Sequence, residues 1–289
     1  MPRQKHQNSS FLDKSFNEQN TRNYVMSIAL DINGCTVGIY DQSKSKVLGI
    51  ITHHFEGLKN EVEITGQLEI LLNTVSWLTL PFSNVNLVYK NNESTLVPMP
   101  LFDKNNAALY LEFNHVFQKD NRIAFDIIKH TDAVNVYGLP KLLVEKVKTT
   151  WPNIVIKHSA TSLIENLSVL VKNKSDNNTL FIDVSVSSFD LLYFKDNKLH
   201  FYNQFSFHTK TDFVYFLLSA IEQLELNPES VNLMLLGKID KSDEIYEIVY
   251  RYVRHIEFVK RNDNFSYSYV LDELKQHEHF VLFNSLQCE

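Results

Sequence analysis

Residues 179–194 read TLFIDVSVSSFDLLYF, and residues 27–41 read SIALDINGCTVGIYD. Each stretch holds two runs rich in β-branched, aliphatic and aromatic residues around a short polar break, with an aspartate, Asp183 or Asp31, closing the first run. In the second stretch the break is Asn33-Gly34, a strong hairpin signal because both residues tolerate positive φ. In the first it is a turn at Val186-Ser187-Ser188. Outward from Asp31, the polar linker DQSKSK leads to a third strand, KVLGIITHHF. Ile64, Leu68, Leu71, Leu72, Val75 and Leu78 then recur at helical spacing, and VNLVY (85–89) is the next strand. Outward from Asp183, the turn KDNK leads to LHFYNQFSF. A helix follows, with a cap at Thr209 answered by Asp212 and with Phe213, Phe216, Leu217, Ala220, Ile221 and Leu224 on one face. Asn227-Pro228 closes it and VNLMLLG (231–237) follows. Both series run three strands, helix, strand. Their first strands are offset by 152 residues (Asp183 against Asp31) and their last by 146 (Val231 against Val85), the mark of an internal duplication.

Between the two units the sequence predicts a helix from Asp103 to Phe117, a strand pair at RIAFDII and AVNVYG, and a helix opened by Pro140 and closed before Pro152. NIVIKH and a helix bearing Leu163, Ile164, Leu167 and Leu170 complete that interval. After the second unit come a helix with Ile245, Ile248, Val249 and Tyr252, the strand HIEFV, and a last helix around Tyr269 to Lys275. The tail HFVLFNSLQCE fits a short strand or a helix. Residues 1–22 are polar and aperiodic, the composition of a flexible N-terminal arm with docking confined to Phe11 or Phe16. The expected division is therefore an arm over 1–22, a first lobe with an inserted subdomain over 23–172, and a second lobe over 173–289.

Composition narrows the function. The chain of 289 residues has 44% hydrophobic and 21% charged residues, ordinary for a globular protein. It has 7 glycines where average usage of about 7% would give roughly 20. Enzymes that cradle phosphates on bare backbone spend several glycines in loops, so that class starts at a disadvantage. The net charge of −6 and the lack of a basic stripe argue against a nucleic-acid partner. Cys35 and Cys288 make neither a disulfide framework nor a C-x-x-C pair, and no apolar run approaches the roughly 20 residues of a membrane span. A cytoplasmic location and no membrane span are the expectations.

The duplicated unit resembles the ribonuclease-H-like unit found twice in the actin, sugar-kinase and heat-shock chaperone superfamily, from about Tyr24 onward. The resemblance implies an α/β actin-like ATPase fold, two lobes around a central cleft that holds a nucleotide. In it, LDINGCTVG stands at the first phosphate turn, with Asp31, Asn33 and Gly34. IDVSVSSFD stands at the second, where Asp183, Ser185, Ser187 and Asp190 follow the family pattern D-I-G-G-G-S-T-D without its glycines. LMLLGKID stands at the adenosine turn, Gly237 being kept and Lys238 replacing the usual second glycine. The polar arm, the degenerate turns, the motif order and the Cys-Glu end resemble most the actin-like family filed as domain of unknown function 3822. That family carries no established activity; a more distant likeness is to actin-like proteins of division and pilus assembly.

The two retained aspartates are candidate magnesium-site acids, Asp31 and Asp183, able to orient water around a metal carrying nucleotide phosphates. The missing glycines weigh against tight binding. A hydrogen bond to a charged group contributes roughly 1.5–3 kcal/mol, so losing two or three costs about 3–9 kcal/mol, enough to turn a micromolar site millimolar. The expected function is a non-catalytic protein-interaction or assembly module, a pseudo-ATPase that at most holds Mg-ATP weakly. Its protein partners are unspecified, a second copy in a homodimer being one form. The competing expectation is a Mg-dependent ATP-binding enzyme, an ATPase or small-molecule kinase. Bland readings take other residues: Asp31 as turn chemistry, Asp190 as a solvent-facing strand residue, and His53 and His54 as strand neighbours on opposite faces. Phe201, Tyr202 and Phe205 put aromatics on both faces of one strand, a pattern found at interfaces.

Overall fold

The computed structural model describes residues 8–58, 60, 62–115, 120–172 and 178–286. Cys288 and the end of the tail lie outside the described residues. The chain opens with β1 (Ser9–Leu12), then β2 (Tyr24–Asp31), β3 (Gly34–Asp41), β4 (Lys46–His54), α1 (Val62–Thr74) and β5 (Asn84–Tyr89). Next come β6 (Ser94–Pro98), α2 (Ala107–Asn114), β7 (Asn121–Ile127), β8 (Ala133–Pro140), α3 (Lys141–Thr150), β9 (Val155–His158) and α4 (Ser159–Lys172). The second series is β10 (Asn178–Val184), β11 (Ser188–Lys195), β12 (Lys198–Ser206), α5 (Lys210–Gln223), β13 (Asn232–Gly237), α6 (Glu244–Val249) and β14 (His255–Phe258). β15 (Ser266–Tyr267) and α7 (Phe280–Ser285) end it.

The duplication is visible in the sheets. One contains the order β4-β3-β2-β5-β9 and the other is β12-β11-β10-β13-β14. In both, the first three strands are antiparallel and the last two add in parallel. The fold is of mixed α/β type, with the strand order repeated in two sheets as the resemblance implies. Apolar faces explain the layers: α1 and α3 cover Met26, Ile28 and Leu87 on the first sheet, while α5 and α6 cover Leu180, Leu191 and Leu235 on the second. Two helices cross over. α4, which follows the first sheet, buries Leu163, Ile164 and Leu167 against Phe181, Leu192 and Met234 of the second. α7, which follows the second, packs on β2, β3 and β5 of the first, with Leu282 and Phe283 against Val25 and Ile50. Asn86 Nδ2 donates to Ser285 O at 2.8 Å, and the hydroxyls of Ser27 and Ser285 also pair. The three-stranded sheet β6-β8-β7 with α2 forms the insertion between β5 and β9.

Several expectations shift. The first hairpin turns on Ile32-Asn33, one residue early, and neither takes positive φ. Asp31 Oδ1 holds the turn by accepting the N–H groups of Asn33 (2.7 Å) and Gly34 (2.9 Å). Gly34 is required by crowding, since a Cβ there would meet His53 O at 2.6 Å. The turn with two positive-φ residues is Asp196-Asn197, at 50° and 60°. Of the helix expected over 103–117, the described residues are α-helical over Ala107–Asn114 and Phe117 lies outside them; β6 was not foreseen, and the helix expected at 269–275 is one 3-10 turn, Tyr269–Leu271. The described part of the tail forms a helix over Phe280–Ser285.

The arm expected to be flexible is docked over its described part. β1 pairs antiparallel with β4, Phe16 packs on Trp77, and buried Asp13 accepts from Lys46 Nζ (2.7 Å) and Ser268 Oγ (2.6 Å). The hydrogen bond from Lys46 leads the effects that hold the Asp13 carboxyl well below the usual carboxylate range. The Thr209 cap is as read: its hydroxyl accepts the Asp212 N–H at 3.1 Å and Asp212 Oδ2 accepts the Thr209 N–H at 2.9 Å. Thr209→Ala is expected to lower stability by about 1 kcal/mol in urea denaturation, and a change below a few tenths would contradict the cap's role. No helix among the described residues is long and apolar enough to cross a membrane.

Candidate functional site

Parallel strands deliver their carboxyl ends to one edge of a sheet, and in each half an aspartate stands there: Asp31 as the last residue of β2 and Asp183 one residue before the end of β10. The two edges face each other across a cleft. Asp31, Asn33, Gly34, Asp183, Ser185 and Lys238 line it, so six of the nine candidate residues come together from distant positions. Asp190 sits behind it, opposite Asp183 in the β10–β11 ladder and almost fully buried, and it does not face solvent as its strand position suggested. Gly237 is not among the lining residues but abuts Val184 and Asp183, and its N–H donates to His277 O at 3.0 Å. Ser187 is exposed on the turn and does not line the cleft; its carbonyl accepts the Phe207 N–H at 2.9 Å.

Two carboxylates paired across a ladder repel each other, and burial worsens the repulsion. Lys90 resolves it. This residue directly follows β5, its own N–H donating to Leu30 O at 2.9 Å. Its ammonium crosses to the second sheet and lies 2.5 Å from Asp190 Oδ2, 2.9 Å from Ser185 Oγ and 3.6 Å from Asp183 Oδ2. Asp190 Oδ1 in turn accepts from the Tyr202 hydroxyl at 2.8 Å. Burial pulls the Lys90 ammonium toward the neutral form, but the carboxylates of Asp190 and Asp183 more than offset it and the net displacement is upward. Burial pushes Asp183 up to about 6 against the pull of Lys90, with Asp190 adding to the rise. Tyr202 is raised by burial first and by Asp190 second.

Apart from Asp31 and Lys238, the rest of the lining is apolar or carries neutral polar groups, and His158 lies behind it. His158 is buried, its Nδ1 accepting the Ala160 N–H at 3.1 Å while Nε2 faces Asn91 Oδ1 at 3.2 Å; burial lowers it to about 4. His279, in the left-handed region at φ 57°, opens α7 and is lowered to about 4 by burial. Phe280, Val281 and Leu282 of α7 close one side. The space left is about 140 Å³. Pockets that enclose drug-sized ligands run to about 300–1,000 Å³. Cys35 also lines the cleft as a buried thiol, pushed up to about 12 by burial and Asp31, hence an inert one.

Mg-ATP does not fit these residues as they stand. Of the two acids that would orient metal-bound water, Asp183 faces Lys90 and Asp31 Oδ1 is taken by the Asn33 and Gly34 N–H groups, and the cavity is smaller than a nucleotide requires. Among the described residues no group of three or more His, Cys, Asp or Glu is placed to hold a metal ion. Lys90, His158 and the α7 wall escaped the sequence reading, which marked Tyr202 as an interface aromatic and not as the partner of Asp190. The available signal was a lysine immediately after the parallel strand VNLVY, where its side chain enters the crevice at the strand's carboxyl end.

Three comparisons bear on this geometry. The family described as Protein of unknown function (DUF3822) matches residues 13–256. A Bacteroides thetaiotaomicron protein with actin-like ATPase fold and unknown function superposes with a TM-score of 0.81 at 20% identity, over 95% of this chain and 99% of that one. The structure of a PilM-PilN type IV pilus biogenesis complex superposes with a TM-score of 0.60 at 13% identity, over 92% of this chain and 96% of the other. At these identities the likeness concerns the fold alone. No curated protein matches.

Proposed function

The chain belongs to the DUF3822 family and has an actin-like ATPase fold, and from that premise we propose that it is a pseudo-ATPase: a non-catalytic module that works through protein contacts. The observation that carries the proposal is the ammonium of Lys90 among Asp183, Asp190 and Ser185, within the cleft where the fold would otherwise present carboxylates to a metal and hydroxyls to phosphate. The scaffold keeps its acids and satisfies them internally. They then hold the two halves in one arrangement, because Lys90 belongs to the first series of elements and both acids to the second. The PilM-PilN structure, a complex built on a similar fold, supports an assembly role for such a scaffold. A cytoplasmic location and protein partners, including a second copy, belong to the same proposal.

The test is thermal unfolding with and without Mg-ATP, together with an assay for phosphate release. At 1 mM nucleotide, a site of millimolar or weaker affinity stabilises by at most about 0.4 kcal/mol, a shift of roughly 1–2 °C. The expected result lies within that limit, without turnover. A shift of several degrees that Asp183→Asn removes would overturn the proposal in favour of a Mg-dependent ATP-binding enzyme.

A further inference from the structure

A second cavity, of about 470 Å³, lies outside the cleft, between the insertion and the second sheet. Its walls are two sheet edges: β6, the edge of the three-stranded sheet, and β12, the edge of the five-stranded one. None of the described residues lining it is Lys, Arg, Asp or Glu; amides and hydroxyls predominate. Phosphates, nucleotides and divalent cations therefore find no charge to pair with there.

Strand parity shows which backbone groups are available. The Phe207 N–H donates to Ser187 O, so odd-numbered residues of β12 turn their backbone groups toward β11, and Tyr202, Gln204 and Ser206 turn theirs away from the sheet. On the facing wall, the Gly138 N–H to Glu93 O and Met99 N–H to Asp132 O bonds point the odd residues of β6 toward β8. The free edge of β6 is already blunted: His115 Nε2 bonds the Ser94 carbonyl at 3.0 Å, and Pro98 has no N–H. β12 is less protected. Its one outward donor with a partner, Gln204 N–H, is held only by the neighbouring Asn203 Oδ1 at 2.9 Å. The Gln204 Nε2 amide is buried and has no partner. The stretch from Tyr202 to Ser206 spans about 13 Å, the length of a four- to five-residue extended segment.

We propose that this groove receives an extended, uncharged peptide segment of a partner protein, which adds as a strand to the β12 edge and takes a hydrogen bond from the Gln204 side chain, with β6 as the opposing wall. This names the contact surface of the interaction module proposed above and rests on that reading. The test is selection of binders to the full chain from a random heptapeptide display library, followed by affinity measurement on the synthetic peptides recovered. The expected peptides are uncharged. N-methylation of one alternate set of their amides weakens binding more than tenfold and of the other set less than threefold. Gln204→Pro, which removes the central outward donor, and Ser206→Trp, which fills the groove without altering a backbone donor, each weaken binding more than tenfold while thermal stability is retained. Recovery of no binder, or of binders indifferent to Ser206→Trp and to the N-methyl register, overturns the proposal, as does saturable binding of maltotriose in place of peptide. The Mg-ATP measurement reads the cleft independently. A flat nucleotide response with no peptide binding removes this groove alone, whereas a strong response with peptide binding removes the pseudo-ATPase reading and leaves the groove.

Discussion

Lys90→Met is expected to destabilise the protein by about 3–5 kcal/mol at pH 7, because it leaves two buried carboxylates facing each other without a counter-charge. Asp190 is almost fully buried and Asp183 is 14% exposed, so neither can recover its hydration without moving strands. The pH dependence carries a sign that can be checked. Asp183 stands near 6 in the folded chain against an ordinary 3.8, so between those values the folded state binds a proton that the unfolded state does not. The stability linked to this group is fully present below about 3.8 and is lost as pH rises through about 6. Asp183→Asn removes this contribution, so its stability relative to wild type should increase between pH 4 and 6, on top of the rise that the buried His158 and His279, both lowered to about 4, impose on either protein; at pH 7 it should be neutral or stabilising, in contrast to Lys90→Met. Urea denaturation across that range measures both. A Lys90→Met variant within 1 kcal/mol of wild type at pH 7 would show that the acids were solvated after all.

Gly237→Ala should destabilise by about 2–5 kcal/mol. The residue has φ +82°, where an L side chain costs about 1–2 kcal/mol, and overpacking adds about 1–3. A Cβ would stand 2.3 Å from Val184 O and 2.5 Å from Asp183 Oδ1. The substitution therefore displaces the same carboxylate that holds Lys90. The resemblance implies an adenosine turn at this glycine, yet the crowding around it accounts for its presence without a nucleotide. Chemical denaturation of the apo protein checks the point, and a loss below about 0.5 kcal/mol would contradict it.

The duplicated strand order was readable because alternation and helical spacing are local: the runs around Asp31 and Asp183 carry their own pattern, and Thr209 with Asp212 marks a helix start without tertiary help. Misreadings arose where a distant partner decides. Asn33-Gly34 suggested a positive-φ turn, but Asp31 and the approach of His53 shift it by one residue. Ser94–Pro98 ends in a proline and becomes a strand only because β8 pairs with it. Residues 9–12 lack periodicity and are ordered by β4. In the site, the acids were legible from motif spacing. Lys90 was not, because its partners lie 93 to 100 positions away and nothing in the local pattern shows that its side chain crosses to another sheet.

A double-mutant cycle on Lys90→Met and Asp190→Asn, read by equilibrium denaturation at pH 7, reports most directly whether the cleft's charges satisfy one another. The account predicts a coupling energy of about 2–3 kcal/mol, with the double variant more stable than Lys90→Met alone. Additive effects, with coupling under about 0.5 kcal/mol, would mean that the carboxylates stand free for another cation, and the internal ion cluster would cease to explain the cleft.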